Sequence, residues 1–125
     1  HPMTLDEAAT KHPDVQFVMC HFGNPWLTDA AAVISKNANV AADISGLLEG
    51  RFDLEKLKAD KAGYIEALKT WMGYLHEYDG IMFGTDWPLV NLEEYIKFVE
   101  DIVPEKYHEK VFFDNANRIY KLGLE

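Results

Sequence analysis

Three apolar runs, each closing on a polar side chain and a tight turn, constrain this chain most. They are Val15 to Phe22, Val40 to Ser45 and Ile81 to Thr85. Each is almost free of polar residues until its end, as expected for a strand covered on both faces. Between and after them, apolar residues recur at three- and four-residue spacing. Examples are Leu27, Ala30, Ala31 and Ile34, then Ile65, Leu68, Met72 and Leu75, then Tyr95, Phe98, Val99 and Ile102. That period is helical. Strands alternating with helices of this length predict parallel β-α units. Two folds satisfy the order: a small open doubly wound sheet, and part of an α/β barrel. In both, chemistry gathers at the C-terminal ends of the strands.

Local signals punctuate the helices. Thr4 and Glu7 read as a capping box opening a helix that runs to Lys11. Asn24 reads as an N-cap before Pro25, and Asp53 as the cap of the next helix. Gly63 is expected to interrupt that helix. Asn91 and Glu94 form a second capping-box pattern, and the last helix is expected over residues 115–122. No linker or low-complexity stretch divides residues 1–125, which read as one segment. They fall short of the roughly 250 residues of a complete eight-stranded barrel.

Charge and cysteine content exclude some functions. Lys and Arg number 12 against 21 Asp and Glu, for a net charge of −9. So acidic a chain is not expected to bind nucleic acid or an anionic membrane surface. No apolar run approaches the roughly 20 residues of a membrane span. Cys20 is alone, so a disulfide and a thiolate zinc cage are ruled out, and a cytoplasmic location is expected.

Three strand ends then stand out. His21-Phe22-Gly23-Asn24 closes the first, Asp43-Ile44-Ser45-Gly46 the second and Gly84-Thr85-Asp86-Trp87-Pro88 the third. His21 is expected on the strand face of Val15, Phe17 and Met19. It is either hydrogen-bonded to backbone or a metal ligand or proton shuttle. Asp86 is either a turn cap over Trp87 and Pro88 or a ligand or base for a metal-bound water. Asp43, inside its strand, is expected to make a structural hydrogen bond. Ser45, Asn24 and Trp87 are the candidate substrate contacts. Cys20 is expected inside the strand, opposite His21, which argues against a Cys-His nucleophile. The other histidines, His1, His12, His76 and His108, have no ligand spacing, and no Gly-rich phosphate loop or nucleophile elbow is present.

Taken in order, these motifs resemble the closing half of the amidohydrolase superfamily. The likeness is to the amidohydrolase-related (type 2) branch, which also contains aminocarboxymuconate-semialdehyde-type decarboxylases. Thr4 to His21 resembles the helix leading into barrel strand six, Gly84 to Pro88 the end of strand eight, and Asp114 to Tyr120 the C-terminal helix. The resemblance implies an α/β chain that forms the C-terminal part of a (β/α)8 TIM-type barrel, about strands six to eight with their helices. By it, Asp86 matches the strand-eight metal ligand. His21 matches the strand-six His, a second-metal ligand in some members and a proton-transfer residue in the decarboxylases. The implied activity is metal-dependent hydrolysis or decarboxylation of a small carboxylated or cyclic substrate, with zinc first among the divalent metals.

The family's strand-one His-x-His pair and strand-five His have no counterpart here. The chain is therefore expected to be a fragment missing the N-terminal half of the barrel, inactive alone and without bound metal. His21 and Asp86 should stand at the same end and side of the sheet. Inner positions such as Phe17, Met19 and Met82 should lie bare, which predicts a homo-oligomer. The alternative is a non-catalytic open-sheet signalling or binding domain.

Overall fold

A computed structural model describes residues 1–125. Helix α1 (Pro2–Lys11) starts earlier than the capping box suggested. Pro2 supplies the fixed φ of a first helical turn, and the His1 ring accepts from the Met3 amide at 3.3 Å. Thr4 therefore lies inside the helix, and the Thr4–Glu7 box does not form.

Strand β1 (Phe17–Met19) has three residues, far fewer than the apolar run. It pairs in parallel with β2 (Val40–Asp43), Phe17 opposite Val40 and Met19 opposite Ala42. The chain then turns through Cys20–Gly23, with His21 and Phe22 at φ 56° and 48°. The ladder stops there because the His21 amide is taken by the Asp43 carboxylate instead, at 3.2 Å. His21 thus leaves the strand and its expected face. Asn24 caps nothing: the Asn24–Pro25 peptide is cis, and helix α2 (Leu27–Lys36) begins after Trp26.

Asp53 does cap α3 (Leu54–Asp60), accepting from the Lys56 amide at 3.2 Å. The break before α4 (Ala62–Gly73) falls at Lys61, and Gly63 continues the helix. Strand β3 (Ile81–Met82) pairs with β2, Ala42 opposite Ile81, so the order is β1-β2-β3, all parallel. Helix α5 (Leu92–Ile102) begins without a side-chain cap. Asn91 instead clasps both backbone groups of Phe52, at 3.2 and 3.1 Å, and Glu94 takes the Leu54 amide at 2.9 Å. Both side chains of the expected box are thus spent tying the loop after β2 to α5. A short α6 (Asn115–Ile119) ends the fold, three residues sooner than expected.

The two sheet faces have different covers. Phe17, Met19, Val40, Ala42 and Ile81 pack with α2, α4 and α5, through residues such as Ile34, Leu68, Met72 and Phe98. Ala41 and Met82 form the other face with Ile119 of α6. Phe17 and Met19 therefore belong to the helix-covered core and not to the barrel interior. The shortened strand leaves the two-residue alternation intact, but its inward positions are Val18, Ala41 and Met82. Met82 is buried under α6, which Asn115 fixes by donating to Tyr78 and Ile81 carbonyls at 2.9 and 2.8 Å. No helix is long and apolar enough to cross a membrane.

Candidate functional site

The three loops leaving β1, β2 and β3 converge over Gly46. Gly46 has φ 59°, a left-handed conformation that favours glycine. A Cβ on it would lie 2.6 Å from His21 Nδ1 and 3.2 Å from an Asp86 carboxylate oxygen. Both side chains therefore occupy the space that any other residue at 46 would fill. His21 and Asp86 stand at one end and on one side of the sheet, although β2 lies between their strands.

His21 is half-buried and held from one side. Its Nδ1 lies 2.8 Å from the Ser45 carbonyl and 3.0 Å from Ser45 Oγ. Ser45 Oγ donates to Asp43 Oδ1 at 2.5 Å, and the same oxygen accepts from the amides of Ser45 and His21 at 3.0 and 3.2 Å. Asp43 is thus the structural acceptor expected, but for two loops at once. His21 Nε2 has no protein partner.

Asp86 is exposed at φ 62°. The turn that it was a candidate to cap is held otherwise: Thr85 Oγ1 accepts from the Trp87 amide at 3.2 Å, and the Asp86 carbonyl from Leu89 at 3.0 Å. Its carboxylate makes no hydrogen bond to protein. An unpartnered carboxylate and an unpartnered imidazole nitrogen, sharing one cradle, are both ordinary ligands for a divalent cation. They fit as two members of a ligand set. No three His, Cys, Asp or Glu side chains of this chain cluster to complete one.

Cys20 lies in the turn, beside Asp43 and Asp86, and not within a strand as expected. Burial, then the charge of Asp43, a hydrogen bond to it and the charge of Asp86 push the thiol up. A raised thiol is a weaker source of the nucleophilic thiolate.

The other proposed contacts stand apart from Gly46. Asn24 lines a cavity of about 230 Å³ with His1, Met19, Cys20 and Trp26. Trp87 is 71% exposed and lines a cleft of about 650 Å³ with Arg51, Leu89 and Asn91. Neither His21 nor Asp86 borders either space. Of the remaining histidines, His1 pairs with Asp29 at 3.2 Å and His108 contacts the Val103 carbonyl at the end of α5, at 2.8 Å.

Two tyrosines hold the Gly46 loop: Tyr95, which read only as an apolar helix position, and Tyr64, which the sequence did not single out. Tyr95 is fully buried; its hydroxyl donates to the Ile44 carbonyl and accepts from the Leu47 amide at 3.2 Å. Tyr64 donates to the Leu47 carbonyl at 3.1 Å. A Tyr inside a Phe, Val and Ile stripe is the available signal, because a buried phenol needs a partner. Tyr95→Phe leaves two buried backbone groups short of a partner. It should lower unfolding stability by about 1–3 kcal/mol in a urea titration.

Burial also pushes the Tyr64 phenol up to about 12, and Tyr95 in the same direction. The folded state favours the neutral phenols, whereas unfolded tyrosine ionises near about pH 10. Their contribution is whole below pH ~10 and is lost as pH rises through about 12. Tyrosinate absorbance followed with circular dichroism should show late ionisation accompanying alkaline unfolding. Ionisation of all tyrosines near the ordinary value, with the fold intact, would contradict this.

Solved structures share this architecture. An amidohydrolase from Burkholderia multivorans, crystallised with bound zinc, superposes with a TM-score of 0.72 at 18% identity, covering 96% of this chain and 49% of its own. A second crystal form, with bound HEPES, gives 0.71. An uncharacterised TIM-barrel protein from Bordetella bronchiseptica gives 0.67 at 21% identity, with 96% of this chain and 39% of that one covered. This chain thus has the fold of part of a TIM barrel and spans half or less of the length of the structures it matches. No curated protein matches it in sequence. The family model described as amidohydrolase matches residues 1–122, almost end to end, and on that ground the chain belongs to the amidohydrolase family.

Proposed function

We propose that this chain supplies two ligands, His21 and Asp86, to the metal site of a metal-dependent hydrolase. The observation that carries the reading is their meeting over Gly46 with Nε2 and the carboxylate unpartnered. Family membership and the zinc in the Burkholderia structure support a divalent metal, zinc first. When bound, such a metal polarises substrate and lowers the pKa of a water. The chain's own residues orient and move protons: His21 holds its lone pair outward, and Asp86 receives a proton at a carboxylate oxygen. The substrate is small and carboxylated or cyclic, hydrolysed or, in a second mode, decarboxylated. Asn24 and Trp87 are the proposed substrate contacts, each in a separate cleft beside the strand ends, and Ser45 serves the site through the Nδ1 side of His21.

Two ligands do not complete a site, so the reading includes the N-terminal half of a barrel as partner. It also includes pairing between copies, because β1 and β3 are edges of the sheet. The isolated chain should turn over no substrate. After dialysis it should keep well under one zinc per chain, and it should approach one when joined to the N-terminal strands. Stoichiometric zinc on the isolated chain would overturn the division of ligands. No zinc on the joined protein would overturn the site.

A further inference from the structure

We propose that Asp43 is a positioning residue that acts through the Ser45 hydroxyl to fix the tautomer of His21. The inference rests on the reading of His21 as a functional nitrogen donor and deepens it.

The reasoning is about which groups can donate. The Ser45 carbonyl, 2.8 Å from His21 Nδ1, can only accept, so Nδ1 must carry the proton. Ser45 Oγ, 3.0 Å from the same nitrogen, could do either. If it donated, it would compete with the carbonyl and favour the opposite tautomer. Asp43 removes that choice. A carboxylate only accepts, and at 2.5 Å it takes the hydroxyl proton of Ser45. Oγ is then left with lone pairs facing Nδ1, and both neighbours of that nitrogen are acceptors. The proton stays on Nδ1, and Nε2, which has no protein partner, presents a lone pair. An imidazole in water prefers the other tautomer, with its proton on Nε2, so the arrangement works against the ring's own bias. The two amides that Asp43 also accepts, from His21 and Ser45, hold the two loops at the spacing that the relay needs. A ligating or proton-accepting nitrogen is made by its remote hydrogen bond. Here that bond has a second residue behind it.

Ring-nitrogen NMR of the metal-free chain, at a pH where the imidazole is neutral, reads the tautomer directly. The unaltered chain should show His21 with the proton on Nδ1. Ser45→Ala should keep it, because the carbonyl remains. Asp43→Asn offers a neutral, weaker acceptor, frees the hydroxyl to turn toward Nδ1, and should lower the Nδ1–H to Nε2–H ratio about tenfold. Adding Ser45→Ala to Asp43→Asn should restore it. A merely structural role for Asp43 gives no such restoration. An Nε2–H ring in the unaltered chain, or an Asp43→Asn spectrum that does not change, would overturn the proposal. Should Asp43→Asn not fold, the unaltered chain decides. Its Ser45 hydroxyl proton should be resolved and slow to exchange, and fast exchange with water would overturn the relay. Zinc plays no part in these readouts, so a failed metal site and a failed relay are told apart.

Discussion

Asp86→Asn in this chain joined to the N-terminal strands of the proposed barrel should lower kcat/KM by a factor on the order of 10²–10⁴ while leaving the fold intact. An amide oxygen is a poorer metal ligand than a carboxylate and cannot take up a proton. The stability half of the expectation comes from the geometry. Asp86 is exposed, its carboxylate has no protein donor, and its φ of 62° suits Asn at least as well as Asp. Its turn is held by Thr85 and by the Asp86 carbonyl, both of which survive the substitution. The unfolding free energy should therefore move by no more than about 0.5 kcal/mol. Rate measurements paired with a melting curve check both halves. An unimpaired rate would remove Asp86 from the chemistry, and a collapsed fold would make it a structural residue.

The parallel architecture and the convergence of the three strand ends were legible from the chain because long apolar runs and helical periods are strong signals. The length of each strand was not. Nothing local in Val15–Phe22 says that the Asp43 carboxylate, 22 residues on, intercepts the His21 amide and ends the ladder. Some of the capping chemistry was misread for the same reason, although Asp53 does cap α3 and α5 does start after Asn91. Asn91 and Glu94 have the residue types of a capping box, but the distant Phe52 and Leu54 backbone groups claim them. Pro2 and His1 likewise took the start of α1 from Thr4. The inward face was misassigned at Phe17 and Met19, because a strand buried on both sides carries no polar alternation to orient it. The site itself divided in the same way. His21 and Asp86 could be placed by counting strands, whereas Asp43's hold on the His21 loop and the anchoring by Tyr95 depend on contacts between segments far apart in sequence.

Gly46 read only as a turn signal, and the structure makes it a position at which substitution is costly to the site itself. Gly46→Ala meets two penalties. A side chain at φ 59° costs roughly 1–2 kcal/mol. Its Cβ would also fall 2.6 Å from His21 Nδ1 and 2.8 Å from Cε1, forcing the ring off the Ser45 carbonyl, at about 1–3 kcal/mol for a crowded site. Gly50→Ala separates the two terms. Its φ is 80°, equally left-handed, but a Cβ there meets nothing within 4 Å. Urea unfolding of both variants should therefore show the larger loss at 46, by about the crowding term. The Gly46→Ala protein should also lose the His21 Nδ1–H signature, since the ring that moves away from Gly46 also moves away from Ser45. Equal losses at 46 and 50 would mean that His21 yields without cost. The close packing of the three strand ends would then not be what holds its imidazole beside Asp86.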